Sequence, residues 1–170
     1  FNPTTNEPPI PDGFFLSWVG QIQRIQRLGD DHLLIIQGDL QLTPDTLLPD
    51  YLFIIGGAQS VRGYSQNARS GDNGFRFSIE DQITLQRDEA GNARIQIAPF
   101  LDMGVVWNTG NNPIPLPAQT FLLGAGLGLI WQPFENFRLR LDYGYPFINL
   151  QDRGNNLQDD GFYFEVNYKL

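Results

Sequence analysis

The sequence predicts an all-β fold, and more specifically a transmembrane antiparallel β-barrel. Two observations predict strands: apolar and polar residues alternate in many short segments, and turn-forming residues separate those segments. A third observation is the aromatic content, with 13 Phe, 6 Tyr and 3 Trp among 170 residues, beside 18 glycines and 12 prolines. The length suits one domain, so we expect residues 1–170 to belong to a single barrel domain.

The composition excludes several classes of function. Acidic residues outnumber basic ones by 19 to 11, and the net charge of −8 disfavours a nucleic-acid partner, whose phosphates attract Lys and Arg. The chain has no cysteine and one histidine, so we expect no metal site and no cofactor, and we interpret His32 as a polar turn residue. Because no nucleophile is paired with a base, we predict that the chain is not an enzyme and has no catalytic residue.

No stretch of about 20 apolar residues is present, so the sequence predicts no transmembrane helix. A barrel strand needs only about 9 to 11 residues, of which every second one faces lipid. Residues 1–13 lack the basic and apolar regions of a signal peptide, and we interpret them as a proline-rich loop at the start of a fragment.

Seven segments show the alternation expected of strands. They are residues 14–27, 33–42, 75–86, 94–107, 120–134, 137–147 and 161–170. The last two have one apolar and one polar face along their whole length. The apolar face is predicted to contact lipid and contains Leu139, Leu141, Tyr143, Phe164, Val166 and Tyr168. The polar face is predicted to line the lumen and contains Arg138, Arg140, Asp142, Glu165 and Asn167.

Two of the other segments depart from strict alternation. The first changes phase near Arg24 and Ile25. In the third, Asp81 falls on the apolar face, which predicts a bulge or a strand end there. The charged residues of the polar faces are interpreted as a wet channel wall, and they are Arg76, Glu80, Arg94, Arg138, Arg140, Asp142, Glu165 and Lys169.

The connections between the segments alternate in length. Tight turns at 29–31, 88–93 and 135–136 alternate with long polar loops at 43–74, 109–119 and 150–160. Short turns on one side and long loops on the other are typical of bacterial outer-membrane barrels. We therefore predict a location in the bacterial outer membrane.

A soluble β-barrel that binds small apolar ligands also alternates, so periodicity leaves that alternative open. Two features favour the membrane barrel. Gly124, Gly126 and Gly128 would form a poor soluble exterior, and aromatic residues near strand ends suit the membrane interface. These aromatic residues are Trp18, Trp107, Trp131, Tyr143 and Tyr145.

Three short motifs carry a resemblance to a known family. The first is VRGY in the long loop, at Val61, Arg62, Gly63 and Tyr64. GDNG follows it, with Gly71, Asp72 and Gly74. One hairpin later, FLDMG places Phe100, Asp102 and Gly104 on the polar face of their strand. The set resembles two-partner secretion transporters of the TpsB type, in the superfamily that also contains the BamA insertases.

The resemblance covers essentially the whole chain and implies the C-terminal seven strands of a sixteen-stranded barrel. It implies that loop 43–74 is inserted in the lumen. It also implies a protein-translocating pore that secretes a large exoprotein of the haemolysin or adhesin type. The implied partners are this exoprotein, outer-membrane lipid and periplasmic POTRA domains of the same protein. A BamA-like insertase that assembles other barrels is the alternative, and Leu170 departs from the aromatic residue that usually ends such barrels.

The residues of the motifs also predict an ion pair. An arginine carries five donors, and a carboxylate on a facing wall can accept two of them. We therefore expect residues 57–73 to fold back into the lumen and Arg62 to bind Asp102. Gly63 would permit a sharp bend, and Tyr64 would pack on the wall with its hydroxyl bonded. The alternative is a solvated hairpin loop with Arg62 in water.

Overall fold

The computed structural model describes residues 13–110 and 112–169. The strands in this part are β1 (Trp18–Leu28), β2 (His32–Leu42), β3 (Phe53–Ile55), β4 (Arg69–Gly71), β5 (Asn73–Arg87), β6 (Ala93–Trp107), β7 (Phe121–Phe134), β8 (Phe137–Pro146) and β9 (Phe162–Tyr168). One turn of 3-10 helix at Pro49–Tyr51 precedes β3. No helix in the described part is long and apolar enough to cross a membrane. The interpretations of residues 1–12 and of Leu170 lie outside the described residues.

Seven of the described strands form one antiparallel sheet in the order β1-β2-β5-β6-β7-β8-β9. This confirms the prediction of an all-β antiparallel fold. The sheet is open in this chain, because among the described strands β1 and β9 each pair on one side only. The two short strands, β3 and β4, form a separate ribbon within the long loop.

The sheet separates its side chains into two faces. In the last two strands Leu141 lies opposite Phe164, and both are exposed, whereas Arg140 lies opposite Glu165 on the other side. We call the first the outer face and the second the inner face. The outer face continues across the sheet through exposed Leu101, Leu127, Leu129 and Trp131. A soluble monomer rarely exposes so continuous an apolar surface, which lipid chains can cover.

The buried core lies between the inner face and the folded loop. Its members are Ile55, Val61, Tyr64, Val106 and Leu122. Three of these belong to loop 43–74, so the loop supplies more of the core than the sheet does. Full burial of one large apolar side chain contributes about 1.5–3 kcal/mol, so these few residues fix a loop that is otherwise polar.

The first strand begins later than predicted, at Trp18 rather than at residue 14. Before Trp18 the backbone bonds to side chains of the next long loop. The Leu16 N–H donates to the Asp45 carboxylate at 2.9 Å, and the Thr43 hydroxyl donates to the Leu16 carbonyl at 2.7 Å. These bonds to side chains take the place of the backbone bonds that a paired strand would provide before Trp18. The ends of the other long strands differ from the predicted ones by one or two residues.

The change of phase in β1 leaves its register with β2 unbroken from Trp18 to Leu28. Arg24 and Gln26 therefore lie on the outer face, and Ile25 lies on the inner face. The tight turn that joins β1 to β2 sets this register, and the side chains follow it.

The sequence predicted a bulge or a strand end at Asp81, and this prediction is wrong. β5 continues to Arg87, and its register irregularities with β6 occur at residues 84–87 instead. Asp81 stays on the outer face, where its carboxylate lies 2.7 Å from Nδ1 of His32. This contact provides a polar partner at an otherwise apolar position. His32 begins β2 and is not a turn residue.

Candidate functional site

The connection between β3 and β4 places the tip of the long loop, Val61 to Tyr64, against the inner face of the sheet. All four tip residues are buried. Gly63 has a φ of +100°, a backbone conformation that glycine adopts readily and other residues rarely do. The chain reverses there and returns towards β4.

Glycines on two neighbouring strands leave room for the tip. A Cβ at Gly124 of β7 would collide with the carbonyl oxygen of Arg62. A Cβ at Gly144 of β8 would lie 2.6 Å from the Gly63 nitrogen. The bare part of the inner face is therefore the surface on which the loop backbone rests.

Arg62 is the centre of the site. Its Nε and Nη2 donate to the two carboxylate oxygens of Asp102 at 2.7 and 2.9 Å, and its backbone N–H donates to the same group at 3.1 Å. Its Nη1 donates to Glu80 at 2.6 Å. The guanidinium lies 3.4 Å from the centroid of the Phe100 ring. The structure thus brings Arg62, Phe100 and Asp102 together and adds Glu80.

The ion pair is shielded from water on both sides. The side chains of Arg62 and Asp102 are 7% and 0% exposed. Burial opposes the charge of the guanidinium, yet the pKa of Arg62 is raised, because Asp102 and Glu80 bind it. The Ser78 hydroxyl also donates to Asp102 at 2.6 Å. Removal of Arg62 would leave Asp102 buried without a cation, whereas removal of Asp102 would leave Arg62 with Glu80 as its remaining close carboxylate.

A second arginine connects the same carboxylates to β8. Arg140 donates to Glu80 and to Asp142, each at 2.7 Å, and Asp142 lies 4.0 Å from Arg62. We call Arg62, Glu80, Asp102, Arg140 and Asp142 the charged cluster. It contains two arginines and three carboxylates, so it carries one net negative charge when all five groups are ionised. The sequence placed Arg140 and Asp142 on the polar face but interpreted them as a wet wall.

Tyr64 fixes the tip at its other end. Its hydroxyl donates to the Leu123 carbonyl at 2.8 Å and accepts the Ile148 N–H at 3.1 Å. Burial raises the pKa of this phenol, so it stays protonated and keeps its donor. The ring packs in the core beside Val61.

Asp72 of the GDNG motif joins three segments on the side of the long loops. One carboxylate oxygen accepts the Leu47 N–H at 2.9 Å. The other accepts the Thr109 N–H and the Asn112 amide, both at 2.9 Å. Asp72 is fully buried. It therefore organises the loops around the tip without contacting the tip itself.

The other motif glycines lie where chain segments approach closely. Gly71 approaches the backbone of Trp107, and Gly74 approaches the ring of Phe53. A Cβ at Gly104 would lie 3.1 Å from the Val61 side chain. At Gly74 a larger side chain would displace the Phe53 ring, and at Gly71 and Gly104 it would require the neighbouring atoms to shift by a few tenths of an ångström.

The sequence motifs did not indicate two further residues that hold the loop. Arg69 is buried and donates to Asp152 at 2.6 Å and to the Gln119 carbonyl at 2.5 Å. Tyr163 of β9 bonds to the backbone of the tip. The available signal was weak: Arg69 was simply a second arginine in the loop, and Tyr163 was one of several residues on the polar face of the last strand.

Asp72→Asn is expected to destabilise the full-length protein by about 2 kcal/mol, because an amide cannot accept at both positions and leaves a buried N–H without a partner. Segments 43–48 and 108–112 should become more sensitive to protease, and the thermal midpoint should fall. Asp50→Asn, at an exposed position of the same loop, is the matched control. Equal protease sensitivity of the two variants would contradict this role for Asp72.

The open sheet with an apolar outer face, a polar inner face and an inserted loop defines an outer-membrane β-barrel protein. The chain belongs to the Omp85 superfamily, since the model of the Omp85 superfamily domain matches residues 11–169. Proteins of this family reside in the bacterial outer membrane, which confirms the predicted location. This location excludes the soluble-barrel alternative.

Solved structures with the same fold include two proteins named CdiB. CdiB from Acinetobacter baumannii is 26% identical with a TM-score of 0.67, and CdiB from Escherichia coli is 21% identical with a TM-score of 0.69. Each match covers 91% of this chain and 27% of the CdiB chain. CdiB is a two-partner secretion transporter, and these matches fit the TpsB type.

A third solved structure, BamA from Haemophilus ducreyi lacking POTRA domains 1-3, is 17% identical with a TM-score of 0.58. That match covers 89% of this chain and 34% of the BamA chain. The chain therefore spans about a third or less of the length of these proteins. No curated protein matches the sequence.

Proposed function

We propose that this chain is part of an outer-membrane pore that moves a large exoprotein of the haemolysin or adhesin type from the periplasm to the cell surface. In this proposal POTRA domains of the same protein capture the exoprotein, and the barrel conducts it without catalysis or a cofactor. The observation that carries the proposal is the loop tip on the inner face, with Arg62 bound between Asp102 and Glu80.

The inner face has the chemistry that conduction through water requires. Beside the tip is a polar cavity of about 370 Å³. It is lined in part by Arg76, Arg138, Arg140, Glu165 and Asn167. A polar wall with charges of both signs keeps a barrel interior hydrated, which suits the passage of an extended polypeptide. The tip occupies part of the same space, so its position would set how much of the path is open.

A BamA-like insertase is the second candidate, and the match to BamA favours it. Both candidates share the fold and the inserted loop. The transporter has the stronger support, because the CdiB matches have higher identity and a higher TM-score than the BamA match.

Deletion of the gene in the source bacterium distinguishes the two candidates. For a transporter we expect one or a few large proteins to disappear from the culture medium while the outer-membrane barrels keep their levels. For an insertase we expect many outer-membrane barrels to decrease together. Quantitative proteomics of both fractions, with the full-length gene restored as control, measures the difference. Unchanged proteomes in the deletion strain would contradict both candidates.

A further inference from the structure

The loop tip has an attachment to the last strand of the sheet. The Tyr163 hydroxyl accepts the Gly63 N–H at 2.8 Å and donates to the Tyr64 carbonyl at 2.7 Å. Both partners are backbone groups. The two bonds therefore depend on the position of the tip and not on the side chains of the tip residues. Tyr163 is 7% exposed, and water therefore has little access to either bond.

No side chain of β8 obstructs the approach of the Tyr163 hydroxyl to the tip at Gly144. Tyr163 lies on β9, in register with Asp142 of β8. The tip passes over Gly144 on that same strand, where a side chain would obstruct Gly63. The tyrosine thus reaches the loop across β8.

The loop that leads into β9 adds two contacts of the same kind. The Ser65 hydroxyl donates to the Asp159 carboxylate, and the Gln66 N–H donates to the Gln158 side chain at 3.2 Å. The bond from Ser65 lowers the pKa of Asp159, which keeps this acceptor ionised. Residues 158–163 therefore hold residues 63–66 at several points.

The tip is consequently bound from two opposite parts of the sheet. Arg62 is held by Glu80 of β5 and Asp102 of β6. Tyr163 belongs to β9, which pairs with β8 through the shortest ladder of the described seven-stranded sheet. A short ladder opens at low cost, so the additional bonds to the tip contribute to holding β9 in place.

We propose that Tyr163 is a positioning residue that couples the bound position of the loop tip on the inner face to the position of β9. Release of the tip loosens β9, and displacement of β9 frees the tip. The coupling deepens the proposed function and rests on it for its purpose, since a client on the inner face would need the tip to move.

The first test measures exposure of the tip in the full-length protein in the outer membrane. Val61 is fully buried and this chain has no cysteine, so Val61→Cys reports tip release through its rate of maleimide labelling once any cysteine elsewhere in the full-length protein is replaced. Adding Tyr163→Phe should raise that rate about tenfold, because two buried backbone groups lose their partner. Tyr168→Phe, the same change on the outer face of the same strand, should leave it unchanged. No rise with Tyr163→Phe, or an equal rise with the control, would overturn the proposal.

The second test measures coupling by hydrogen exchange of β9 amides in the full-length protein. Asp102→Asn loosens the tip from β6, with two strands between it and β9, and it should speed exchange in residues 162–168 about tenfold. In a Tyr163→Phe background it should add much less, since only the contacts of Asp159 and Gln158 with the tip remain. Unchanged β9 exchange after tip release would refute the coupling, and this arm keeps Tyr163 in place should the phenylalanine variant fail to assemble.

Secretion, followed in parallel, separates this proposal from the proposed function. If Asp102→Asn releases the tip and stops secretion while β9 exchange stays constant, the coupling is wrong and the proposed function keeps its support. If β9 exchange rises as expected while secretion continues normally, the coupling holds and the role of the tip in secretion is wrong.

Discussion

Arg62→Ala is expected to release the loop tip and to abolish most secretion by the full-length protein, while the barrel still assembles. The change removes the side-chain bonds to Asp102 and Glu80 and leaves both carboxylates buried. Removal of one partner of a buried pair costs about 3–5 kcal/mol, which shifts the seated loop towards release by a factor of roughly 100 to 4,000. Exoprotein in the culture medium reports secretion, and heat-modifiable electrophoretic mobility reports assembly.

Arg153→Ala is the matched control for this experiment. Arg153 also lies in a long loop with an acidic partner, Asp160 at 2.9 Å, but both side chains are exposed. An exposed pair contributes about 0–1 kcal/mol, so secretion should continue in the control. Normal secretion by Arg62→Ala would be inconsistent with a role for the seated tip. A barrel that fails to assemble would instead show that Arg62 acts through folding.

The charged cluster also predicts the outcome of a charge swap. Arg62→Asp combined with Asp102→Arg keeps the total charge and restores one pair of opposite signs. We expect it not to restore secretion. The new carboxylate at position 62 would face the like charges of Glu80 and Asp142, and an arginine at the buried position 102 would present its guanidinium from the sheet and not from the loop.

The strands could be predicted from the sequence because a barrel strand repeats its chemistry every second residue. The last two strands illustrate this, since parity alone assigned Leu141 and Phe164 to one face and Arg140 and Glu165 to the other. Parity failed at Arg24, where the register set by a tight turn places a charged side chain on the outer face. The strand register is set at the turn, so the identity of one residue such as Arg24 does not reveal which face that residue occupies.

The ion pair of the site followed from two short motifs, whereas the charged cluster and Tyr163 did not. Parity indicates which face a side chain occupies, but the distance between two strands depends on register, and register depends on turns. Glu80 and Arg140 are 60 residues apart in sequence, yet their side chains are 2.7 Å apart. Tyr163 binds backbone groups, which leave no trace in the sequence of the loop they belong to.

The glycines of β7 were read only as an absence of side chains. Their positive role depends on the course of another segment, 57–73, whose path no local pattern specifies. With the loop in place, a Cβ at Gly124 is incompatible with the Arg62 carbonyl oxygen. A substitution at Gly124 can therefore displace the tip while every residue of the tip stays unchanged.

Gly124→Ala is therefore expected to impair secretion as strongly as Arg62→Ala. Within a strand, alanine is favoured over glycine by roughly 0.5–1 kcal/mol, so assembly of the barrel should not suffer. The added methyl group occupies the place of the Arg62 carbonyl oxygen, and a tip shifted by about 1 Å loses the 2.7 Å bond to Asp102. Labelling of Val61→Cys should rise along with the loss of secretion.

Gly38→Ala controls for the substitution itself. Gly38 is a strand glycine on the outer face, where a Cβ would lie 3.1 Å from a methyl group of Ile22, a side chain that can shift. Secretion and tip labelling should stay at the parent level in this variant. If Gly124→Ala secretes normally although its tip is labelled rapidly, an unseated tip is compatible with transport. The polar contacts of Arg62 would then serve the folding of the barrel, and the pore would have to be controlled by another element.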